Sequence, residues 1–575
     1  MKWRWFHLNA IGIFALIVTL GLFLFVTRSA YQSGDSLNYA VSARTGGPEM
    51  FHPQHLIFAS ATHLLHYVVA GMFPDFDILT TGQIHNIAWA IVTLVSVYLI
   101  VLYLTHTRPL ALWASVLIFA TQGFLTFTTW FEAYVPALGC LALLTAVLVC
   151  AHSGHLSRPR LALLIGLLSL AILYHQMNVL IVFPVGVYFA LSPERRFRDY
   201  IALTVSSGMI VILLYVIAYL SCPTNQTFVG FVRFCFRYVL HPNPTWGTWA
   251  NVSSQGVRNM VDSQVWNIAP LPGNIRLSIA LMIMFVLGWN IIRIVTDVEW
   301  RAVRSFLILW ICIYYLFSLW WLPGYRELFF VTMFPLLLIG TMTLCNICAL
   351  LPSRVSKILP AIVLASLSAL LLIRNIPVLR DNHAKKGEAY EQARLLSESV
   401  NDETMIMTDY VTQQNLRFYF GSHQTEEIVI PALCFYQHLP LPMYCESAMN
   451  GVCLLEVRDI TPNHSVYGFD AYSHPSEWLA FLDWLFAFKY DSSGDVMSCR
   501  DIECRALCAG PVSILIKCTR RNVVGLKDLF GKLDQAIGSA ANNRDQAFDD
   551  WLRRISATKK RTIQEMAQSR AISCQ

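Results

Sequence analysis

Long apolar runs alternate with short basic loops along the first 375 residues of the chain. A bilayer core takes about 20 apolar residues per helix, or about 17 at the short end. Most of the runs reach that length and carry few charges, so the pattern predicts membrane-spanning helices. The runs are Asn9–Thr27, His85–Leu104, Leu110–Phe127, Ala133–Ala151, Leu161–Leu191, Ile201–Leu220, Leu277–Ile292, Ser305–Trp321, Leu328–Leu350 and Ile358–Ile373.

The run Leu161–Leu191 is long for one span and short for two. Arginines precede it at positions 158 and 160 and follow it at positions 195, 196 and 198. Positive charge at both ends favours a hairpin whose ends lie on the same side of the membrane. Its turn is predicted at the one polar break in the run, Tyr174–Asn178, which brings the prediction to eleven spans.

The basic residues also predict the orientation of the chain. Thirteen Lys and Arg residues fall in the short loops of one side, and seven fall in the much longer loops of the other side. Cytoplasmic loops carry the excess of Lys and Arg. We therefore expect a cytoplasmic N-terminus and a C-terminal domain on the periplasmic, lumenal or extracellular side. Arg28 stands where a signal-peptide cleavage site needs a small residue, so the first run is predicted to be an uncleaved anchor.

The composition agrees with a polytopic membrane protein. Of the 575 residues, 55% are hydrophobic and only 14% are charged, whereas a soluble chain has about a quarter charged. This excludes a disordered chain, a coiled coil and a simple cytosolic enzyme. The net charge of +6 is too small to indicate a nucleic-acid partner.

The fold class predicted is an all-α membrane domain followed by a small α/β domain on the outer face. The membrane domain spans residues 1–375, with a first outer loop at 28–84 and a second at 221–276. His55 to Phe73 is apolar but contains three histidines, so we expect a helix lying in the membrane interface rather than a span. The α/β domain is expected at residues 376–518, and a charged helical tail at 519–575.

Within the α/β domain, short apolar runs predict strands and amphipathic runs predict helices. The predicted strands are Met405–Thr408, Ile428–Ile430 and Pro511–Lys517, and the predicted helices are Lys385–Val400, Gln413–Tyr419 and Ser476–Phe488. Ten of the 15 cysteines lie on the outer side, where disulfides are permitted. Cys499, Cys504 and Cys508 match no common zinc-ligand spacing.

The first outer loop carries the residues best suited to acid–base chemistry. Asp35 follows the first span closely, and Glu49, His52 and His55 lie in the segment PEMFHPQHL. A carboxylate at the membrane surface is placed to accept a proton from a substrate hydroxyl. A solvated loop carboxylate or a helix cap explains Asp35 equally well at this point.

Three further polar segments fall on the same outer face. Glu132 lies between two apolar runs, His175 lies at the polar break, and Arg326 and Glu327 follow an aromatic stretch. Buried carboxylates at membrane depth usually face a cavity, and the planar guanidinium of Arg grips phosphate well. The alternative for each of them is an ordinary position at the membrane interface. Glu132 would then be a turn carboxylate, His175 an interfacial histidine, and Arg326 and Glu327 a surface ion pair. Arg233, Arg237 and His241 in the second outer loop are weaker candidates for binding phosphate.

These segments resemble the GT-C superfamily of integral-membrane glycosyltransferases, which includes protein O-mannosyltransferases and lipid A aminoarabinose transferases. The resemblance covers residues 1–375. It rests on Asp35 after the first span and on His52-Pro53-Gln54-His55-Leu56 before the interface helix. It also rests on the segments at positions 131–138 (FEAYVPAL), 173–176 (LYHQ) and 321–327 (WLPGYRE). Many members carry two adjacent acids in the first loop; here Ser36 follows Asp35, and Glu49 is the candidate second acid.

The resemblance implies an inverting sugar transfer from a polyprenyl-phosphate donor to a protein, lipid or glycan acceptor. Asp35 is the implied base. The implied substrate-binding residues are Glu49, His52, His55, Glu132, Tyr134, His175, Arg326 and Glu327. No cofactor is certain; some relatives use a divalent cation, for which Asp35, Glu49 and His52 are the candidate ligands. The alternatives from other classes are a transporter or lipid flippase, and a noncatalytic membrane assembly protein.

Overall fold

The computed structural model describes residue 14 and residues 17–151, 156–192, 197–222, 227–236, 247–399, 404–408, 410–421, 425–427, 452–458, 502–509 and 513–520. The chain divides into two compact units, residues 1–386 and residues 387–575. Five sequence predictions concern residues outside the described ranges. They are the strand Ile428–Ile430, the helix Ser476–Phe488, the tail after Arg520, and the candidates Arg237 and His241.

The described part of the first unit is helical. Its helices are α1 (Ile17–Val26), α2 (Gly34–Thr45), α3 (Phe58–Met72), α4 (Ile78–Thr105), α5 (Arg108–Phe119), α6 (Gln122–Thr129), α7 (Tyr134–Cys150), α8 (Arg158–Tyr174), α9 (Val182–Leu191), α10 (Phe197–Ser221), α11 (Phe228–Cys235), α12 (Ser254–Ile268), α13 (Gly273–Thr296), α14 (Arg301–Trp321), α15 (Arg326–Cys348) and α16 (Ser353–Ala384). Short 3₁₀ helices lie at Gly47–Met50, Gln176–Ile181 and Trp249–Asn251.

The described residues include six helices that are long and apolar enough to cross a membrane, which makes the chain a multi-pass membrane protein. The bent pair α5 and α6, which turns by 65°, makes a seventh if it is counted as one span. Shorter apolar helices occupy Ile17–Val26, Tyr134–Cys150 and Gln176–Leu191. Helices therefore occur at every predicted run, while the count of eleven spans stays a prediction. The six long helices are α4, α10, α13, α14, α15 and α16.

The polar break predicted between the fifth and sixth spans, within the run Leu161–Leu191, is present. Helix α8 ends at Tyr174, and His175 adopts an extended backbone before the 3₁₀ helix begins. The Asn178 side chain donates to the carbonyl oxygen of Ala171 at 2.8 Å. This side-chain hydrogen bond satisfies one of the carbonyl groups that the end of a helix leaves without a partner.

Two segments of the first loop differ in detail from the sequence interpretation. The interface helix begins at Phe58 rather than His55, and His55 lies in a buried turn before it. Helix α3 has Leu64, Tyr67 and Val68 exposed, which suits a helix in contact with lipid. Asp35 is not in an irregular loop, because it occupies the first turn of α2.

Helix α4 packs against α5 and α7 in the centre of the unit. Small residues allow the close approach. A Cβ atom on Gly82 would lie 2.4 Å from the ring of Phe131, and one on Gly139 would lie 2.7 Å from the ring of Trp89. Glycine at these two positions brings α4 and the start of α7 close together, and this fixes the segment that precedes α7.

The second unit contains a five-stranded mixed sheet. Its strands are β1 (Thr404–Thr408), β2 (Thr425–Glu427), β3 (Val452–Arg458), β4 (Ile502–Ala509) and β5 (Ser513–Arg520), in the order β2-β1-β3-β5-β4. Strand β1 pairs in parallel with β2 and β3, and β5 pairs antiparallel with β3 and β4. Helices α17 (Glu388–Ser399) and α18 (Tyr410–Asn415) are followed by a π-helical turn at Leu416–Phe420. Strands thus lie at two of the predicted positions, and helices lie at two others.

Three cysteines occupy paired register positions in this sheet. Cys453 in β3 pairs with Cys518 in β5, which pairs with Cys504 in β4. The predicted disulfides remain a prediction.

Candidate functional site

Asp35 is held at the start of α2 by local sequence. Ser33 is the N-cap, and its hydroxyl accepts a hydrogen bond from the Ser36 amide at 3.0 Å. Serine is among the preferred residues for this role. The carboxylate of Asp35 is half-buried and accepts a hydrogen bond of 2.7 Å from the hydroxyl of Tyr325. The first and the last of the predicted polar segments therefore meet.

Glu132 is the buried carboxyl group of the site, with an exposed fraction of 1%. The hydroxyls of Ser33 and Ser36 donate to its Oε1 atom at 2.5 and 2.9 Å. Burial raises the pKa of Glu132 well above its usual range, and the charges of Asp35 and Glu327 raise it further. Three acidic groups from distant segments thus lie within electrostatic range, and the surroundings of Glu132 favour its protonated form.

The segment that carries Glu132 is fixed by buried amide side chains. The Gln32 side chain accepts from the Phe131 amide at 3.0 Å, and Asn86 of α4 donates to the Trp130 carbonyl at 2.8 Å. Buried polar groups of this kind cost free energy unless they are paired. Their pairing here fixes the backbone on both sides of the carboxyl group.

Two tyrosines connect the acidic groups. Burial raises the pKa of Tyr325 well above its usual range, so the hydroxyl keeps its proton and donates to Asp35. The side chains of Tyr134 and Tyr325 also interact. Tyr325 therefore connects Tyr134 with Asp35.

Histidines from two segments lie against Tyr134. The rings of His55 and His175 have centroids 4.6 Å apart, and Tyr134 lies 4.5 Å from His175 and 5.9 Å from His55. His52 stacks on His55 at 5.6 Å. Burial lowers the pKa of His55 to about 4, although the charge of Asp35 acts to raise it. His55 is therefore neutral at physiological pH.

Arg326 is half-buried at the N-terminus of α15, and its guanidinium lies over the ring of Trp266 at 4.5 Å. Stacking on an aromatic face orients a guanidinium. The Asn267 side chain donates to the carbonyl oxygen of Arg326 at 2.9 Å, which fixes the backbone of the same residue.

The structure thus brings together most of the residues that the sequence singled out. Asp35, Glu132, Tyr134, Tyr325 and Glu327 form one electrostatically connected group. Through Tyr134 this group adjoins the histidine group His52, His55 and His175.

Glu49 and Arg233 are not brought into the site. Both side chains are exposed, on the 3₁₀ helix Gly47–Met50 and on α11. The acidic groups within range of Asp35 are Glu132 and Glu327 instead. Among the residues that the structure describes, no group of three His, Cys, Asp or Glu side chains is placed to hold a metal ion.

Sequence reasoning missed two functional contacts. Tyr325 lies in the segment 321–327 but is not among the predicted site residues, and neither is Trp266. A tyrosine directly before Arg326 and Glu327 was the available signal for the first. No pattern in the sequence connects Trp266 with Arg326, because they lie on different helices.

The comparisons with known proteins identify the fold. No family model matches the sequence, and no curated protein matches it. Two solved structures of ArnT from Cupriavidus metallidurans match over 88% of this chain and 98% of theirs. The structure with bound undecaprenyl phosphate has 11% identity and a TM-score of 0.53, and the apo structure has 10% identity and a TM-score of 0.54.

An oligosaccharyltransferase from Archaeoglobus fulgidus matches 77% of this chain and 68% of its own, with 12% identity and a TM-score of 0.49. ArnT is a GT-C glycosyltransferase, and the similarity of the two ArnT structures shows that this chain has the GT-C fold. The expectation drawn from the short motifs is confirmed at the level of the fold.

Proposed function

We propose that this protein is a membrane glycosyltransferase that moves a sugar from a polyprenyl-phosphate donor to an acceptor at the outer or lumenal membrane surface. The observation that carries the proposal is the meeting of Asp35 with Tyr325, beside Arg326, in a chain with the GT-C fold. ArnT, which shares this fold, binds undecaprenyl phosphate. The acceptor is a protein, a lipid or a glycan.

Asp35 acts as the base in this mechanism. It is half-buried and hydrogen-bonded, so it stands ready to accept the proton of an acceptor hydroxyl. The acceptor oxygen forms a bond to the anomeric carbon while the bond from that carbon to the phosphate oxygen breaks. Attack from the face opposite the leaving group inverts the anomeric configuration. The phosphate leaves as polyprenyl phosphate and needs no general acid, unlike the alcohol released by a glycosidase.

Arg326 binds the phosphate of the donor. Its guanidinium is oriented by Trp266, and it lies next in sequence to the tyrosine that holds Asp35. A cation at this position stabilises the negative charge that the leaving phosphate gains. Glu132 is buried and its raised pKa favours the protonated form, whereas Asp35 is half-buried, so Asp35 is the carboxyl group better suited to act as the base.

The orientation follows from the same proposal. The N-terminus is cytoplasmic, as the distribution of Lys and Arg indicates. The site residues then lie on the opposite side, where a polyprenyl-phosphate sugar is presented by the outer or lumenal leaflet.

The experiment is donor turnover by the purified full-length chain in detergent. Radiolabelled polyprenyl-phosphate mannose, glucose and aminoarabinose are supplied with an acceptor extract, and the release of free polyprenyl phosphate is followed. We expect release from at least one donor by the wild-type chain and a loss of at least about 100-fold in Asp35→Asn, as for removal of a general base.

Asp75→Asn is the matched control, because Asp75 is an exposed carboxylate in the same loop region. It should keep full activity. Undiminished release by Asp35→Asn would falsify the mechanism. Absence of release from any donor by folded wild-type protein would count against the glycosyltransferase itself.

A further inference from the structure

A second group of polar side chains lies inside the helical unit, away from the proposed active site. Arg304 of α14 is buried, with an exposed fraction of 2%. Its guanidinium donates to the side-chain oxygen of Asn290 and to Asp297, the latter at 3.1 Å. Asn290 of α13 in turn donates to the hydroxyl of Thr343 on α15 at 2.6 Å. Asn290 thus joins three membrane helices at one level.

This group lies toward the opposite end of α15 from the proposed active site. Thr343 follows Arg326 by 17 residues of that helix, which is about 25 Å at a rise of about 1.5 Å per residue. The hydrocarbon core of a bilayer is about 30 Å thick. The group therefore lies near the other membrane surface, on the side proposed above to be cytoplasmic.

Four N–H donors around Asn290 are buried and have no hydrogen-bond partner among the residues that the structure describes. A buried donor without a partner costs free energy, so each one requires an explanation. All four atoms donate and none of them accepts. They are the Nε atoms of Arg293 and Arg304, the Nε1 atom of Trp289 and the Nδ2 atom of Asn346.

The donors on α13 and α15 lie at the same level of the bundle. Helices α13, α14 and α15 follow one another through turns of four residues, so α13 and α15 run in the same direction. Arg293 and Asn346 each lie three residues beyond the hydrogen-bonded pair Asn290 and Thr343. Both are therefore about one helical turn nearer the membrane surface than that pair.

The other two donors belong to the same region. Trp289 lies four residues before Arg293 on α13, which places the two side chains on one face of that helix. Arg304 bonds to Asn290, and the charge of Arg293 acts on Arg304. Donors from three helices are thus gathered in one part of the bundle.

The region carries net positive charge. Asp297 forms an ion pair with Arg304, and Glu299 in the same turn is exposed. Arg301 adds a third guanidinium beside those of Arg293 and Arg304, and it donates to carbonyl oxygens at the end of α13. Three cations therefore accompany two carboxylates.

The region also borders the lipid. Ile291, Ile292 and Val295 of α13 are exposed, as suits side chains in contact with acyl chains. Arg293 and Asn346 are half-buried, so they lie at the boundary between the bundle and the lipid. The Arg293 side chain is long and flexible, and its rotation opens the buried donors to a head group.

We propose that Trp289, Arg293, Arg304 and Asn346 bind the phosphate of an anionic phospholipid in the leaflet opposite to the active site. A phosphodiester accepts hydrogen bonds, does not donate them, and is negatively charged, so it supplies the partners that these donors lack. Basic pockets between membrane helices on the cytoplasmic side bind anionic lipid head groups. The inference goes beyond the glycosyl transfer and does not depend on it.

The test measures binding of fluorescently labelled dioleoyl phosphatidylglycerol to the purified full-length chain in detergent micelles. Unlabelled phosphatidylglycerol, phosphatidylcholine with the same acyl chains, and inorganic phosphate are the competitors. We expect saturable displacement by phosphatidylglycerol. Each of the other two should require a concentration at least about 10-fold higher, because choline adds a cation to a basic pocket and inorganic phosphate has no acyl chains.

Substitutions then locate the bound lipid. Arg293→Gln should weaken binding at least about 10-fold, as for loss of a hydrogen bond to a charged group. Arg160→Gln is the matched control, because Arg160 is an exposed arginine at the start of α8 on the same predicted side. Arg326→Gln removes the proposed donor-phosphate residue. Both of these variants should bind phosphatidylglycerol as the wild-type chain does.

Asn346→Leu separates a binding role from a structural one. It removes a buried donor that has no protein partner among the described residues, so without lipid the unfolding temperature should stay the same or rise. Binding of phosphatidylglycerol should nevertheless weaken by at least about 3-fold. A purely structural role would lower the unfolding temperature and leave binding unchanged.

Several results overturn the inference, and none of them bears on donor turnover. They are absence of saturable binding, equal displacement by phosphatidylcholine, and equal weakening in Arg293→Gln and Arg160→Gln. Weakening in Arg326→Gln alone would place the lipid in the proposed donor site, and equal displacement by inorganic phosphate would indicate a site for free phosphate. Should Arg293→Gln fail to fold, as judged by thermal unfolding, unchanged binding in both Asn346→Leu and Trp289→Phe would contradict the proposal.

Discussion

The hydroxyl of Tyr325 donates a 2.7 Å hydrogen bond to the carboxylate of Asp35, across 290 residues of sequence. This bond connects the first turn of α2 with the residue that immediately precedes α15. The next residue, Arg326, begins α15. The residue that holds the proposed base and the residue proposed to bind the phosphate are therefore adjacent in sequence.

Removal of that hydroxyl tests its positioning role. In Tyr325→Phe the ring remains but Asp35 loses a hydrogen bond, and we expect kcat to fall by about 10- to 150-fold because a bond to a charged group contributes about 1.5–3 kcal/mol. The KM for the donor should change little, since the hydroxyl does not face the phosphate in this proposal. Tyr67→Phe, at an exposed tyrosine, is the control. A rise in KM with kcat unchanged would place Tyr325 in donor binding instead.

The buried Glu132 predicts a pH dependence of stability. Its folded-state pKa is raised above the ordinary value of 4.5 by burial and by the charges of Asp35 and Glu327. The stabilisation from its protonated form is complete below the unfolded-state pKa and is lost as the pH rises through the folded-state pKa. Glu132→Gln keeps an acceptor for Ser33 and Ser36 but cannot ionise. It should therefore lose less thermal stability than the wild-type chain between pH 5 and pH 9.

Glu49→Gln is the matched control for this measurement, since Glu49 is exposed. Its unfolding temperature should follow the wild-type curve at every pH. Identical pH profiles for wild type and Glu132→Gln would show that Glu132 does not carry a raised pKa.

Sequence patterns predicted the helices well because membrane spans are specified by local composition. Each apolar run contains a helix, and the break at His175 was visible as the one polar interruption in its run. The order of short motifs also indicated the GT-C fold, which the ArnT structures confirm.

The pairing of residues within the site was not predictable in the same way. Asp35 and Tyr325 meet only because α2 and α15 are brought together by tertiary packing, and no periodicity records that contact. Glu49 looked like the second acid because it is close to Asp35 in sequence, whereas Glu132 is close in space. The capping residue of α2 is Ser33 rather than Asp35, because the hydroxyl of Ser33 accepts from the Ser36 amide.

His55 predicts a loss of stability in acid. Burial lowers its folded-state pKa to about 4, below the ordinary value of 6.5. A histidine whose pKa is lower in the folded state stabilises the fold fully at pH values above its unfolded-state pKa. This stabilisation is lost as the pH falls toward the folded-state pKa. The wild-type chain should lose stability between about pH 6.5 and pH 4, and His55→Gln should lose less. His66→Gln, at a half-buried histidine on α3, should follow the wild-type profile.

Arg326 predicts a defect in donor binding. Arg326→Ala removes the cation that Trp266 orients, so the donor KM should rise and kcat should fall. The combined loss in kcat/KM should be about 100-fold, which is typical of a charged group that stabilises a leaving phosphate. Arg326→Lys should recover only part of it, because an ammonium neither stacks on Trp266 nor offers paired donors. Arg233→Ala removes an exposed arginine of α11 and should leave both constants unchanged. An equal loss in both alanine variants would indicate a general effect of positive charge on donor capture.

Gly82 predicts that the acidic segment depends on close packing with α4. A Cβ atom at position 82 would lie 2.4 Å from the ring of Phe131, which directly precedes Glu132. Gly82→Ala should therefore displace that ring and destabilise the protein by about 1–3 kcal/mol, as overpacking usually does. Donor turnover should fall with the stability, because the displaced segment carries Glu132 and Tyr134.

Gly71→Ala is the control, since Gly71 also lies in a helix and a Cβ atom there would meet nothing within 4 Å. Its unfolding temperature should stay the same or rise, because alanine has the higher helix propensity. Equal unfolding temperatures and equal turnover for Gly82→Ala and wild type would show that the ring of Phe131 can move without disturbing the site.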